Sequence, residues 1–357
     1  MLTVGKEGSA LIDIDVGSEI KAVAFTVDGE HIVGGGDGQV GVWRVTDGKE
    51  MGTMDARDVW CLAVAQDGRW IAGGTFDGHA FVWDAKTFEK VLTHWVDPDD
   101  ILAVDFSPDS TRLLVASFNR TAAIWDVAAR EQVLTLPHDS PVIAAKYSPQ
   151  GDRIAVATDK SVRVWDSSDR RVLVDIAVNV VPLFNTGLLW SNNHLFVISG
   201  STIRQFDAST GSAAAKWPVH QSNPLSCIAR PQHRDFIAYS TNDTVMCWHA
   251  STHVQLCRIQ HPQDISSIAL SPDDRLLAIG GHGGKITIRC LYPIPVSIMF
   301  LWVLVDLNSF LVPLVFPNRI QSNWRVYIPL SRNLTFRSTT LRSIHGSTIS
   351  SRMRTRY

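Results

Sequence analysis

The chain has 357 residues, 45% of them hydrophobic and 19% charged, with 12 Trp against 5 Tyr. That balance excludes a disordered chain and a uniformly membrane-embedded one, and the length allows one large core or two average domains. The formal charge of −2 conceals an abrupt asymmetry: residues 1–290 hold 25 basic and 34 acidic side chains, a net of −9, whereas residues 291–357 hold 8 and 1, a net of +7. The change of sign marks a boundary. Phosphate binding needs clustered Lys and Arg, so nucleic acid is not expected as the partner of the acidic body.

The N-terminal MLTVGKEGSALIDIDV has no basic stretch followed by an apolar one, as a secretory signal would. An intracellular location, cytoplasmic or nuclear, is therefore expected. Residues 11–16 (LIDIDV) predict a short strand. IKAVAF (20–25) alternates apolar and polar side chains and predicts another; TVDGEH is a turn centred on Asp-Gly, and IVGGG is a second strand. DGQ makes a tight turn before VGVWRV, and TDGK closes the unit before the strand EMGTMDA. The same order returns over 62–85 and 102–127. Ser-Pro recurs at the first turn, at 107–108, 148–149 and 271–272, where Pro presets a turn dihedral. No part of 1–290 sustains a 3.6-residue period, so few helices are expected there.

Trp43, Trp83, Trp125, Trp165, Phe206, Trp248 and Cys290 mark the same point of VGVWRV, AFVWDA, AAIWDV, VRVWDS, IRQFDA, VMCWHA and TIRCLY. The intervals are 40, 42, 40, 41, 42 and 42 residues. A Trp-Asp pair follows this period at Trp83–Asp84, Trp125–Asp126 and Trp165–Asp166, with Phe206–Asp207 as a variant. The pattern, over residues 9–291, resembles the WD40 repeat. The resemblance implies an all-β fold: a seven-bladed WD40 β-propeller of four-stranded antiparallel blades, with a non-propeller C-terminal tail. It also implies that residues 11–16 complete the last blade beside ITIRCL, which removes an aggregation-prone edge. NTGLLWSNNHLF and HPQDISSIALSPDDRLLAIGG carry a looser likeness to propellers of fungal multidomain signalling proteins.

WD40 blades are often stapled by a hydrogen-bonded His, Ser or Thr, turn Asp and Trp. The turn position here holds Asp37, Asp77, Asn119, Asp159, Gly200, Asn242 and Gly284, and the His position is matched by His138, His220 and His261. The resemblance thus makes Asp37, Trp43, Asp77, Trp83, Asn119, Trp125, His138, Asp159, Trp165 and Trp248 structural staples, since a buried carboxylate needs such donors. His, Ser and Asp recur at blade spacing and no G-x-S-x-G occurs, so these residues are not expected to form a hydrolase triad. The fifth unit has lost the turn Asp and the Trp, and must pack through Phe184, Leu188, Trp190 and Phe206. The seventh carries Cys290 in place of Trp.

Partners of WD40 propellers dock on the loops entering first strands and on the turns between second and third strands. Here these present Arg57, Trp60, Phe76, Trp95, Phe118, Arg120, Lys160 and His282 as partner-binding candidates, beside Asp58, Asp97, Asp99 and Asp100. Exposed Trp, Phe and Arg are good anchors; packing beneath their loops is the other reading of Trp60 and Trp95. VDPDDI lacks the spacing of a calcium loop, the His residues lack zinc-ligand spacing, and GGGDG lacks the Lys of a phosphate loop. Neither a metal nor a cofactor is expected. The five Cys form no C-x-x-C pair and read as reduced thiols. The expected function is a non-catalytic scaffold or adaptor that presents its loops to protein or peptide partners. A membrane-tethered propeller anchored through 296–316 and a propeller enzyme are the alternatives.

After Cys290 the repeat stops. Residues 292–317 are strongly apolar, and the run Val296–Phe316 approaches the length of a membrane span, with Arg319, Arg325 and Arg332 beyond it. Asp306, Asn308 and Pro313 interrupt it. Three readings stand open: a membrane span, a helix packed on the propeller or on a missing domain, or translated sequence never selected as protein, since Val296-Ser297 can be encoded by a splice-donor-like hexamer. Residues 318–357, basic and rich in Ser and Thr, read as a disordered tail.

Overall fold

Among the described residues, 28 strands follow one another with no helix between them. The structure is a computed structural model describing residues 10–95, 99–180, 187–218, 225–229, 231, 233–252 and 254–291, the side chains of 10, 93–95 and 218 excepted. The side chain of Trp95, residues Asp97, Phe184 and His220, and the segments 292–317 and 318–357 lie outside it. The chain divides into two units, 1–296 and 297–357.

Strand β1 (Ala10–Asp15) precedes the first blade. Blade 1 is β2 (Ile20–Phe25), β3 (His31–Gly36), β4 (Val40–Arg44) and β5 (Glu50–Met54). Blade 2 is β6 (Val59–Val64), β7 (Trp70–Thr75), β8 (His79–Asp84) and β9 (Lys90–Trp95). Blade 3 is β10 (Ile101–Phe106), β11 (Arg112–Ser117), β12 (Thr121–Asp126) and β13 (Glu131–Pro137). Blade 4 is β14 (Val142–Tyr147), β15 (Arg153–Thr158), β16 (Ser161–Asp166) and β17 (Val172–Ala177). Blade 5 is β18 (Leu188–Ser191), β19 (His194–Ser199), β20 (Thr202–Asp207) and β21 (Ala213–Pro218). Blade 6 is β22 (Cys227–Ala229), β23 (Phe236–Ser240), β24 (Thr244–His249) and β25 (Gln255–Gln260). Blade 7 is β26 (Ile265–Leu270), β27 (Leu276–Gly281) and β28 (Lys285–Cys290), and β1 pairs antiparallel with β28 as its outer strand. Each inner strand meets the inner strand of the next blade, and β2 meets β26, so the seven sheets form a closed β-propeller.

Burial explains why these runs form strands. The second and third strands of a blade lie between two neighbouring sheets and are apolar on both faces; β11 is buried from Leu113 to Ser117. Outer strands face solvent on one side, and β13 is exposed over its first three residues. Close sheet packing uses glycine in the second strands, as at two blade junctions: a Cβ on Gly74 would stand 2.3 Å from Ile101 Cγ2, and one on Gly280 would stand 2.5 Å from Ile20 Cγ2. Each gap admits the first side chain of the following blade's inner strand.

The mark residues sit at a repeated irregularity. The register between third and outer strands shifts just before Trp43, Trp83, Trp125, Trp165, Phe206 and Trp248. Such a bulge adds twist at one point, here where the large ring turns into the interface. The Asp that follows the mark has a separate task. Asp84 Oδ1 accepts the backbone N–H groups of Lys86 and Thr87, both at 2.9 Å, and Asp207 Oδ1 accepts those of Ser209 and Thr210 at 2.9 Å. These bonds close the turn into the outer strand. Ser or Thr ties the earlier turn: Ser107 Oγ donates to Asp109 Oδ1 and Ser271 Oγ to Asp273 Oδ1, both at 2.6 Å.

Cys247 and Cys257 depart from the expectation of reduced thiols. They are register partners across β24 and β25, with Cα atoms 4.9 Å apart, and they form a disulfide. Cys61 and Cys227 are buried free thiols, and burial pushes both up to about 12.

Candidate interaction face

The turns between second and third strands and the loops entering the inner strands share one end of the ring. One residue before the inner strand, four blades carry an acid: Glu19, Asp58, Asp100 and Asp264. Each carbonyl accepts the N–H of the residue just after its own blade's second strand. Asp37 donates to Glu19 at 3.2 Å, Phe76 to Asp58 at 3.3 Å, Phe118 to Asp100 at 2.9 Å and His282 to Asp264 at 3.2 Å. The same backbone bond therefore presents Asp37 in blade 1, Phe in blades 2 and 3, and His282 in blade 7.

Side chains join across blades on this face. His282 Nδ1 of blade 7 lies 2.8 Å from Glu19 Oε1 of blade 1. Glu19 also pairs with Lys21, whose Nζ stands 5.1 Å from the centre of a Trp60 ring in blade 2. Trp60 packs on Phe76 with ring centres 5.2 Å apart. Phe76 and Phe118 are each 49% exposed. Trp60 is half-buried, so it both packs and contributes surface.

The remaining candidates lie on other loops and turns at this end of the ring. Arg57, Arg120 and Lys160 are exposed. Arg120 holds φ at +73° and Asp58 at +53°, a region that disfavours side chains. The Arg120 carbonyl accepts the His138 N–H at 2.8 Å, which fixes the turn. Asp99 is exposed beside Asp100, and partial burial, then the charge of Asp99, raises the Asp100 carboxyl above its ordinary range. Glu19 and Lys21 were missed as site residues. An alignment of the repeats would have found the acid, because it holds one position in four blades.

The residues expected as staples divide into two groups. Trp43, Trp83, Trp125 and Trp165 are buried, and Trp248 is half-buried. The turn residues do not reach them. Asp37, Asp77 and Asp159 are exposed, because this turn projects past the sheet into solvent. Asp77 takes bonds from Thr75 Oγ1 and, at 3.0 Å, His79 Nδ1, while Asn119 Oδ1 accepts from Thr121 N at 2.9 Å and Oγ1 at 2.6 Å. In blade 4 the buried His138 ring stands edge-on to Trp165 at 5.3 Å. Among the described residues neither ring nitrogen of His138, nor the Trp165 indole N–H, has a hydrogen-bond partner. His138, Asp159 and Trp165 thus form no bonded chain, and His138 and Trp165 meet through packing. Burial, then the charge of Arg163, lowers the His138 imidazole to about 4. Blade 7 does hold a polar chain: His261 Nε2 lies 3.4 Å from Thr287 Oγ1, which donates to Asp13 Oδ1 at 2.8 Å.

The family described as "WD domain, G-beta repeat" matches residues 15–44, 48–84, 87–126, 130–166 and 254–288. The matches cover blades 1 to 4 and 7. The seventh unit matches despite Cys290, whereas the sixth, with Trp248 in place, does not. The chain is 25% identical over 236 residues to "Transcriptional corepressor LEUNIG_HOMOLOG" of Arabidopsis thaliana, covering 64% of this chain and 29% of that protein. It is 22% identical over 294 residues to "Transcription factor unc-37" of Caenorhabditis elegans, covering 78% and 48%. It is 22% identical over 288 residues to "Eukaryotic translation initiation factor 3 subunit I" of Neurospora crassa, covering 71% and 82%. The chain spans less than half the length of the first two.

Proposed function

From its membership of the WD40 (WD domain, G-beta repeat) family, to which this chain belongs, we infer a non-catalytic scaffold that presents one face of a propeller to protein or peptide partners. The observation that carries this reading is the exposed Phe76 ring seated on Trp60, within a side-chain string drawn from blades 7, 1 and 2. Aromatic side chains held on a rigid frame bind with little ordering cost, which suits a platform. Arg57, Arg120 and Lys160 form the polar rim, and His282 extends the face toward blade 7. Relatives named as a corepressor, a transcription factor and an initiation-factor subunit support partners in the nucleus or cytoplasm.

The test is affinity capture with the full chain and with a Trp60→Ala/Phe76→Ala double variant, read by quantitative mass spectrometry. The expected result is a set of proteins enriched on the parent chain, depleted from the double variant, and retained by Val27→Ala on the opposite face. An identical profile for the double variant and the parent sinks the assignment of this face. No enrichment over an unrelated protein of similar charge sinks the scaffold reading.

A further inference from the structure

We propose that blades 2 and 3 dock a basic peptide segment of a partner, one Lys or Arg side chain seated on Phe76 and another on Phe118. The proposal rests on the scaffold reading above and adds the partner's chemistry. Phe76 and Phe118 occupy the same position of adjacent repeats, and each is half exposed. Each backbone N–H is tied to the carbonyl of an acid, Asp58 or Asp100, so an aromatic ring and a carboxylate arise from adjoining points of the chain. A ring face beside a carboxylate is a favourable seat for a cation, because the ring quadrupole and the full charge attract it together.

An acid and an aromatic ring already hold a cation together at the junction of blades 1 and 2, the ring there coming from the next blade's inner strand. Lys21 lies over Trp60 while paired with Glu19, the acid at the position equivalent to Asp58 and Asp100. In β6 the position of Lys21 is taken by Trp60, and in β10 by Leu102. The inner strands of blades 2 and 3 therefore supply no resident cation there. Among the described residues, the carboxylates of Asp58, Asp99 and Asp100 carry no ion pair, and Asp99 crowds Asp100 with like charge. A bound cation would relieve that repulsion. Arg57 and Arg120 lie on the same face, but residues 1–290 remain at −9 overall. That charge favours a basic peptide over an acidic one and disfavours phosphate backbones.

Fluorescence anisotropy with the full chain tests this, using a fluorescein-labelled peptide of alternating Arg and Ser and its Glu-for-Arg counterpart. The expected result is binding of the Arg peptide alone, weakening as salt rises. Phe76→Ala/Phe118→Ala is expected to weaken it roughly tenfold, the combined effect of two cation–π contacts. Phe76→Tyr/Phe118→Tyr should retain binding, and Asp58→Asn/Asp99→Asn/Asp100→Asn should lose it. Far-ultraviolet circular dichroism checks each variant's fold. Equal binding of the Glu peptide, unchanged binding by the Ala variant, or no binding of the Arg peptide overturns the proposal. If capture by the face succeeds while the Arg peptide fails, the basic partner is wrong and the scaffold reading stands.

Discussion

Lys146 Nζ donates to Asp105 Oδ1 at 2.8 Å, and the other oxygen of Asp105 accepts the Tyr147 N–H at 2.8 Å. One carboxylate therefore ties inner strand β10 of blade 3 to β14 of blade 4. Both side chains are largely buried, at 19% and 27% exposed. Removing Asp105 leaves a cation and a backbone donor unmatched at a blade junction. Asp105→Ala is expected to destabilise the propeller by about 1–3 kcal/mol. Lys146→Met should cost less, because its methylene stem is kept. A double-mutant cycle on urea-unfolding midpoints reads the coupling. Additive single effects would show that the pair contributes nothing.

Gly74 faces Ile101 across the junction of blades 2 and 3, and a Cβ there would stand 2.3 Å from Ile101 Cγ2. Gly74→Ala is expected to cost about 1–3 kcal/mol by overpacking. Ile101→Ala, which removes the clashing Cγ2, should cost less in the Gly74→Ala background than in the parent chain. Thermal melting of the three variants measures both steps, and a melting temperature unchanged by Gly74→Ala would contradict the packing account.

The disulfide between Cys247 and Cys257 closes a short loop within blade 6. Its loss is expected to cost roughly 2–3 kcal/mol, from the loop-closure entropy of about ten residues. Intact mass measured with and without reductant should differ by two hydrogens. Chemical unfolding under both conditions then reads the stability difference, and identical masses would exclude the bond in solution.

The propeller was legible because one large residue recurs at a constant phase, and each repeat contains the strands and turns of one blade. The interaction face was only partly so. Trp60, Phe76 and His282 were visible as loop residues, but His282 meets Glu19 only after the ring closes, and Lys21 joins through strand β2 rather than a loop. The pairing of Cys247 with Cys257 depends on a register shift just after Cys247, which no residue pattern announces. The turn carboxylates were expected at the wrong depth. Six residues of separation from Trp fixed their place in the repeat, but not that the turn extends beyond the sheet.

His138 makes stability fall as the solution is acidified. Its imidazole is lowered to about 4 in the folded chain from an ordinary 6.5, chiefly by burial. Above pH 6.5 the group is neutral in both states and its contribution is fully present. As pH falls from 6.5 toward 4, the unfolded chain takes up the proton first, so folding weakens; below 4 the difference is constant. The full loss is on the order of 3 kcal/mol. Asp166, held at about 2 by hydrogen bonds from Ser168 and Arg171, acts in the same direction at lower pH, between its ordinary 3.8 and 2. The two windows are therefore separable. His138→Phe keeps a flat ring against Trp165 without a titrating group. Urea-unfolding free energies from pH 7 to 4 should fall for the parent chain and stay nearly level over that interval for His138→Phe. Parallel curves for the two proteins would show that His138 is not the group responsible.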